Sequence, residues 1–454
     1  MAFDHSYIGT PGNDEFDAIL EALTQGFALT DTWWINASAG DDTIKGAHGD
    51  DLIYGQAGDD LIYGNDGNDT IYGGNDNDTI HGGEGNDFLF GETGSDLIYG
   101  NAGDDQINGG TGADTLYGGI GNDVFWVDNA GDQVIEYAGE GIDLVKTALN
   151  NYVLANHVER LELIDNAFTG YGNSLDNLLM GHGYTDAADR LFGEGGNDLI
   201  YGYDGNDTLD GGEGDDTLVG GLGEDYYWVD SSGDHIIENT NEGIDTVMSD
   251  VESYTLANHL EDLILKQEYF WGWEVPSTAK NGDGNNLDNT LIGNAEANKL
   301  NGHDGDDYID AEYGDDTVRG GNGDDVINGG WGDDLLYGDA GDDILRGHGG
   351  DDSYLLFEFD RLKGGDGLDT FVLGESGNVW YLGGSYNDYA FVYDYKGWQG
   401  DILQVTGSRN NYTFEYHNGI ENGQWVTDTE ILYQGDRIAW VDKVYITQSH
   451  LTFV

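Results

Sequence analysis

From Gly46 to Trp126 a large apolar residue returns every nine positions without interruption: Ile53, Ile62, Ile71, Ile80, Leu89, Ile98, Ile107, Leu116 and Phe125, with Ile44 one step earlier. Polar, glycine-rich stretches separate them, as in GQAGDDLIY (Gly55 to Tyr63) and GGEGNDFLF (Gly82 to Phe90). Counting glycine as position one, the apolar residue is position eight. Positions seven to nine are rich in β-formers and too short for a helix, so they predict a three-residue strand with one inward side chain. Positions one to six predict a tight turn, because glycine at one, two and four permits positive φ and close backbone approach. Two turns and two strands close a coil of eighteen residues. Coils stacked at strand spacing, about 4.8 Å, would bury the position-eight side chains as a ladder.

Position six is aspartate throughout this array: Asp42, Asp51, Asp60, Asp69, Asp78, Asp87, Asp96, Asp105, Asp114 and Asp123. A second array, Gly193 to Trp228, places Asp198, Asp207, Asp216 and Asp225 there. A third, Gly302 to Leu355, places Asp307, Asp316, Asp325, Asp334, Asp343 and Asp352, and a last block after an interruption from Leu356 to Lys363 adds Asp369. Stacking sets each of these beside the aspartate eighteen residues on, Asp51 by Asp69 and Asp69 by Asp87. Bare carboxylates at that spacing repel. A hard divalent cation between turns removes the conflict, and all these aspartates are expected as its ligands. Calcium accepts six to eight oxygens in irregular geometry, which carboxylates and glycine-turn carbonyls supply, whereas magnesium demands a stricter octahedron. Zinc prefers nitrogen and sulfur donors that these turns lack.

Composition narrows the picture. Among 454 residues, 15 Lys+Arg face 89 Asp+Glu, a net charge of −74. Such a chain repels nucleic acid and anionic membranes. No apolar run is long enough for a membrane helix. The start, Met1-Ala2-Phe3-Asp4-His5, lacks the basic and apolar regions of a Sec-type signal peptide. There is no cysteine, hence no disulfide or thiolate site. Seventy-six glycines beside two prolines exclude collagen.

The GGxGxDxUx pattern resembles the RTX, or haemolysin-type, calcium-binding nonapeptide repeat. That resemblance implies an all-β chain: a right-handed parallel β-roll or β-solenoid in three arrays, with calcium between turns. It also implies a type I secretion exporter and an extracellular or cell-surface location reached without an N-terminal signal peptide.

Between the arrays lie two units that copy one another at an offset of 102 residues, for example Trp126-Val127-Asp128 and Trp228-Val229-Asp230, or Glu140-Gly141-Ile142-Asp143 and Glu242-Gly243-Ile244-Asp245. They read as wider coils with longer strands. The second carries about ten extra residues with Tyr269, Phe270, Trp271 and Trp273. Position six is Asn177, Asn289 and Asn298 in their degenerate blocks, which weakens any calcium site there. The expected organisation is an N-terminal partial repeat and cap at 1–36, with a hairpin or short helix from 17 to 36; array one at 37–126; a spacer at 127–192; array two at 193–228; a spacer with aromatic insertion at 229–301; array three at 302–373; and a β-rich cap at 374–454. The stretch Asp394 to Gly407, DYKGWQGDILQVTG, resembles the segment after the last repeats in secreted cyanobacterial RTX proteins and serralysin-type C-terminal domains. The resemblance implies a β-cap and an uncleaved secretion signal, for which the apolar end Leu451-Thr452-Phe453-Val454 is suited.

No HExxH, GxSxG, P-loop or EF-hand pattern occurs. His157-Val158-Glu159 and His259-Leu260-Glu261 read as duplicated structural turns. Position nine points outward and is aromatic: Tyr54, Tyr72, Phe90 and Trp126 fall in one row, Tyr63, His81, Tyr99 and Tyr117 in the other. Cross-strand stacking accounts for the rows more simply than a glycan-binding strip. The sequence therefore points to a non-enzymatic secreted or surface protein ordered by roughly fifteen to twenty calcium ions, structural or adhesive, with cell-surface polysaccharide or its own copies as partners. The alternatives are a secreted enzyme or toxin with an unrecognised active site, and a glycan-binding module using the aromatic rows.

Overall fold

The structure, a computed structural model, describes residues 3–183, 187–270, 273–275, 277–348, 360–375, 378–379, 390–396, 401–406, 408–421, 424–433, 436–444, 446–447 and 449–453. Asp352, Trp271, Trp380, Tyr381, Tyr389 and Trp398 lie outside the described residues, as do the side chains of Trp273 and Trp425. The chain divides into two compact units, Met1–Gly223 with Gly233–His235, and Glu224–Ser232 with Ile236–Val454.

In the first unit, alternate strands join two parallel sheets up to Gln133–Ile135, after which Tyr152–Val153, Thr169–Tyr171, Arg190–Phe192 and Thr208–Asp210 belong to a third. Of the first two, one begins His5–Ile8, Trp33–Asn36, Leu52–Ala57, Thr70–Asn75 and Phe88–Thr93; the other begins Glu15–Asp17, Thr43–Lys45, Leu61–Asp66, Thr79–Glu84 and Leu97–Ala102. Register follows the eighteen-residue coil, with Ile53 opposite Ile71 and Ile62 opposite Ile80. The position-eight side chains from Ile44 to Phe125 are all buried. Each contributes about 1.5–3 kcal/mol relative to exposure. Many strands are six residues long, as in Leu52–Ala57, where three were expected. Pairing skips the position-one glycine and resumes at positions two and three, Gln56 with Gly74 and Ala57 with Asn75. Among the described residues one α-helix forms, Ala18–Gln25. Asp17 caps it by accepting from the Leu20 N–H at 2.9 Å, and Gly26 ends it in the left-handed conformation.

The spacer coils were expected to be wider, with longer strands. They are instead coils of near-standard size. Val124 pairs with Leu144, Leu144 with Arg160, Arg160 with Leu178 and Leu178 with Leu199. The steps are 20, 16, 18 and 21 residues, and the strands run two to four residues. The extra length is spread over turns, because the spacing of the inward apolar positions cannot change without unseating Val145, Leu161 and Leu179 from the core. In the second unit Asp262 pairs with Thr290, a step of 28, and the added residues form an antiparallel pair, Glu268–Phe270 with Trp273–Val275.

The second unit also has two sets of parallel strands. One runs from Tyr226–Val229 through Thr290–Asn294 and Ile344–His348 to Ile402–Val405 and Leu451–Phe453. The other runs from Ser253–Thr255 through Leu335–Ala340 and Arg361–Asp366 to Ala390–Val392 and Asp436–Val441. Two ten-residue strands, Tyr412–Glu421 and Gln424–Tyr433, then pair antiparallel beside Asp436–Val441. The apolar end thus belongs to the roll, with Leu451 opposite Leu403.

Candidate metal centre

Each repeat aspartate is turned inward by the tight turn before it. Asp42, Asp60, Asp69, Asp78 and their counterparts are at most 2% exposed. One oxygen has a fixed duty: Oδ1 accepts the backbone N–H of the position-six residue one coil earlier. Asp42 donates to Asp60 at 2.7 Å, Asp51 to Asp69 at 2.7 Å, Asp60 to Asp78 at 2.8 Å and Asp69 to Asp87 at 2.7 Å. The same ladder joins Asp78 to Asp96, Asp87 to Asp105, Asp96 to Asp114 and Asp105 to Asp123. It recurs from Asp189 to Asp207, Asp198 to Asp216, Asp307 to Asp325, Asp316 to Asp334, Asp325 to Asp343 and Asp343 to Asp369.

The other oxygen is different. In Asp42, Asp60, Asp69, Asp78, Asp87, Asp96, Asp105, Asp114, Asp123, Asp198, Asp307, Asp316, Asp325 and Asp343, Oδ2 is buried and meets no hydrogen-bond donor of the protein. At Asp60, Asp69, Asp78, Asp87, Asp96, Asp105, Asp198, Asp307 and Asp343 it lies over the position-one glycine, next to the position-one carbonyl of the following coil. A methyl group on Gly55 would run into Oδ2 of Asp60 and the carbonyl oxygen of Gly73; one on Gly64 would meet Asp69 and Gly82, and one on Gly338 would meet Asp343 and Gly364. Two acceptors converge there with no proton between them. Burial, opposed by the backbone hydrogen bond, pushes these carboxyls up, Asp60 to about 7, Asp69 to about 9 and Asp105 to about 8. A hard cation fits such a donor set, since it is made of oxygens only and carries an uncompensated negative charge.

Position two separates two kinds of turn. Where Oδ2 is left open, position two has positive φ: Gln56 (84°), Asn65 (81°), Glu92 (75°) and His303 (84°) are examples. Asp51 belongs to the other kind. Its Oδ2 accepts from the Ala47 N–H at 2.7 Å, so the turn is closed on itself. Asn177, Asn289 and Asn298 close in the same way onto the N–H groups of Asn173, Asn285 and Asn294, and Asp189 onto that of His182.

The ladder also takes in residues the repeat pattern does not mark. Asp123 donates to Asp143 and Asp225 to Asp245 across twenty-residue coils, while Asp114 reaches Asp132 and Asp216 reaches Asp234. Asp369 donates to Asp401. One coil on from Asp334 the ladder position belongs to Asp360, whose Oδ1 accepts at 3.0 Å. The insertion therefore falls before Asp360, not after Leu355 as expected. Position five forms a second ladder in the opposite sense, as Asn68 donates to Asp50, Asn77 to Asp59 and Asn86 to Asn68. The steady Asp or Asn at position five was its signal in the sequence.

The aromatic rows stack ring on ring. Tyr54, Tyr72 and Phe90 follow at 5.0 and 4.8 Å, and Tyr63, His81, Tyr99 and Tyr117 at 4.8, 4.7 and 4.8 Å, all within 15° of parallel. Asn108 separates Phe90 from Trp126. Within the rows the ring faces cover one another, so sugars would meet edges only. His157 and His259 are turn residues with φ of 68° and 70°. No helix among the described residues is long and apolar enough to cross a membrane.

No curated protein matches the chain. Among solved structures, the extracellular lipase LipA from Serratia marcescens is similar at 14% identity, over 74% of this chain and 45% of the lipase, with a TM-score of 0.13. The chain spans under half of that lipase, and a likeness so distant carries no argument about activity. The family model of the RTX calcium-binding nonapeptide repeat matches residues 34–134, 171–236 and 283–355. Those stretches make up just over half of the chain and contain the open turns from Asp42 to Asp343. This is a member of the RTX calcium-binding repeat family, folded as an all-β parallel β-roll.

Proposed function

We propose that this protein is a non-enzymatic, extracellular or cell-surface structural protein whose coils are locked by calcium. The observation that carries the reading is the set of buried Oδ2 atoms without a donor, nine of them, such as those of Asp60, Asp69 and Asp343, beside a glycine carbonyl of the next coil. The open repeat aspartates would hold the ions together with turn carbonyls. Asp51 would contribute less, because its Oδ2 already accepts a hydrogen bond. Roughly fifteen to twenty ions would offset about half of the formal charge. Sites of this extracellular kind bind at about 10⁻⁴–10⁻³ M, so the chain would stay loose in the cytosol and lock after export by a type I exporter. Coat, adhesion or matrix is the role that such a calcium-stiffened roll suits, with surface polysaccharide or further copies as partners.

The test is circular dichroism of the full chain with and without millimolar calcium. Cooperative growth of β signal is expected, and Asp69→Ala or Asp87→Ala should raise the calcium midpoint while Asp128→Ala should not. Midpoints unchanged in all three would overturn the ligand assignment.

A further inference from the structure

The second spacer holds a carboxylate cluster that the nonapeptide does not explain. Glu238 occupies position one of its block, where the repeat has glycine, directly after the strand His235–Ile237. Its side chain turns inward and is 8% exposed. Oε1 accepts from the hydroxyl of Tyr227, itself fully buried. Oε2 is buried and has no partner in the protein. Asp225 and Asp245, each 1% exposed, bring carboxylate oxygens so close that all three groups lie within 4.8 Å of one another. Asp245 is fixed from both sides, since its Oδ1 accepts the Asp225 N–H at 2.8 Å and its own N–H donates to Glu261 at 3.0 Å.

The first spacer supplies an internal contrast. There the corresponding residues are Asp123, Glu136 and Asp143, with Phe125 in place of Tyr227. Glu136 is held by backbone donors, the N–H groups of Gly118 at 2.7 Å and Gly119 at 3.4 Å. One copy thus satisfies its glutamate with the protein's own donors. The other aims an unpartnered oxygen at two more carboxylates.

We propose that Asp225, Glu238 and Asp245 form a separate cation site that takes a hard divalent ion of the calcium class. Oxygens on opposite sides of a calcium ion stand about 4.6–5.2 Å apart, twice the usual bond length, so three oxygens within 4.8 Å can share one. Three carboxylates give this site more negative charge than a turn built from one carboxylate and glycine carbonyls. Affinity rises with ligand charge, so this ion should be the last to leave. Tyr227 acts as a positioning residue that holds Oε1 and leaves Oε2 for the metal. Asp225 and Asp245 belong to the ladder and Glu238 does not, so Glu238 is the ligand that sets this site apart from the repeat turns.

The experiment is an anomalous difference map from crystals of the full chain grown in millimolar calcium and soaked in manganese. A peak within about 2.0–2.6 Å of carboxylate oxygens of Asp225, Glu238 and Asp245 is expected. No peak there, or one that does not touch Glu238, overturns the proposal. The same map reports the repeat turns individually, so their failure is distinguishable from this one. In solution, rapid mixing of the calcium-loaded protein with chelator should show a slow final release that Glu238→Gln abolishes and Glu136→Gln retains. Equal release traces for wild type and Glu238→Gln would also overturn it. Should Glu238→Gln not fold, the wild-type map still decides.

Discussion

The turn at Asn177 and the turn at Asp69 differ in the backbone at position two, where Asn65 has a φ of 81° and that of Asn173 is not positive, and in the side-chain atom that faces the coil before. Asn177 uses Oδ1 to close onto the N–H of Asn173, and its amide nitrogen donates to the carbonyls of Val158 and Glu159 in the coil before it, both at 3.3 Å. Asn289 does the same toward Leu260 and Glu261. In Asp69 the atom in the place of that donor is an acceptor, Oδ1, which takes the Asp51 N–H at 2.7 Å, and Oδ2 faces the Gly82 carbonyl without a donor of the protein. A closed turn, of Asn177 or of Asp51, is complete on its own, whereas an open carboxylate turn is a half-site. The Asn-closed turns of the spacers are therefore expected to need no metal and the open turns of the arrays to need one, although backbone register is continuous through both in the first unit.

The largest effect that would break this comparison is loss of the metal itself. In excess chelator at neutral pH, most of the β signal seen in millimolar calcium should vanish, with hydrogen exchange still protecting the coils at Asn177 and Asn289 best. Uniform protection across arrays and spacers would refute the contrast. Next comes acid. Asp60, Asp69 and Asp78 are raised from 3.8 to about 7, 9 and 8, chiefly by burial. Without metal, the folded state therefore binds protons that the unfolded chain has released. That contribution is complete below about pH 4 and is lost as pH rises through 7 to 9. Chelated protein should regain β signal near pH 4 and lose it by pH 9, and a titration of ellipticity would show whether it does.

A smaller, sharper effect is expected from single atoms. Asp69→Ala should raise the calcium midpoint about two- to threefold, while Asp69→Asn in the same titration should raise it less, because an amide keeps Oδ1 for the Asp51 N–H and puts a donor beside the Gly82 carbonyl. Asn289→Asp should work in reverse. It would remove donors to Leu260 and Glu261, cost about 1 kcal/mol in thermal denaturation without calcium, and recover part of that when calcium is added. Smallest of all is Asp128→Asn, outside the position-six ladder, with a change under about 0.5 kcal/mol.

The repeated core was readable because Ile53, Ile71 and Leu89 recur at a fixed interval, each two residues before the glycine that opens the next turn. The aspartate ladder was readable for the same reason. What escaped notice had lost the interval. Asp143 and Asp245 join the ladder across twenty-residue coils, and Asp360 replaces Asp352 because an insertion moved the register without marking its end. Ala47 gives little warning that it closes the Asp51 turn, since the difference is a backbone rotation that alanine and glutamine both accept at moderate cost. Glu238 was hidden by duplication, because its twin Glu136 stands at the same place yet has a different set of donors.

The antiparallel strands Tyr412–Glu421 and Gln424–Tyr433 have one more consequence. A stack of like coils offers at its end the same template that each inner coil met, and so invites another molecule to continue it. Reversing chain direction at that rim, with Glu415 and His417 exposed on the outermost strand, makes it a poor template for a further parallel coil. A further coil laid parallel there would lose the register that every inner coil shares with its neighbour.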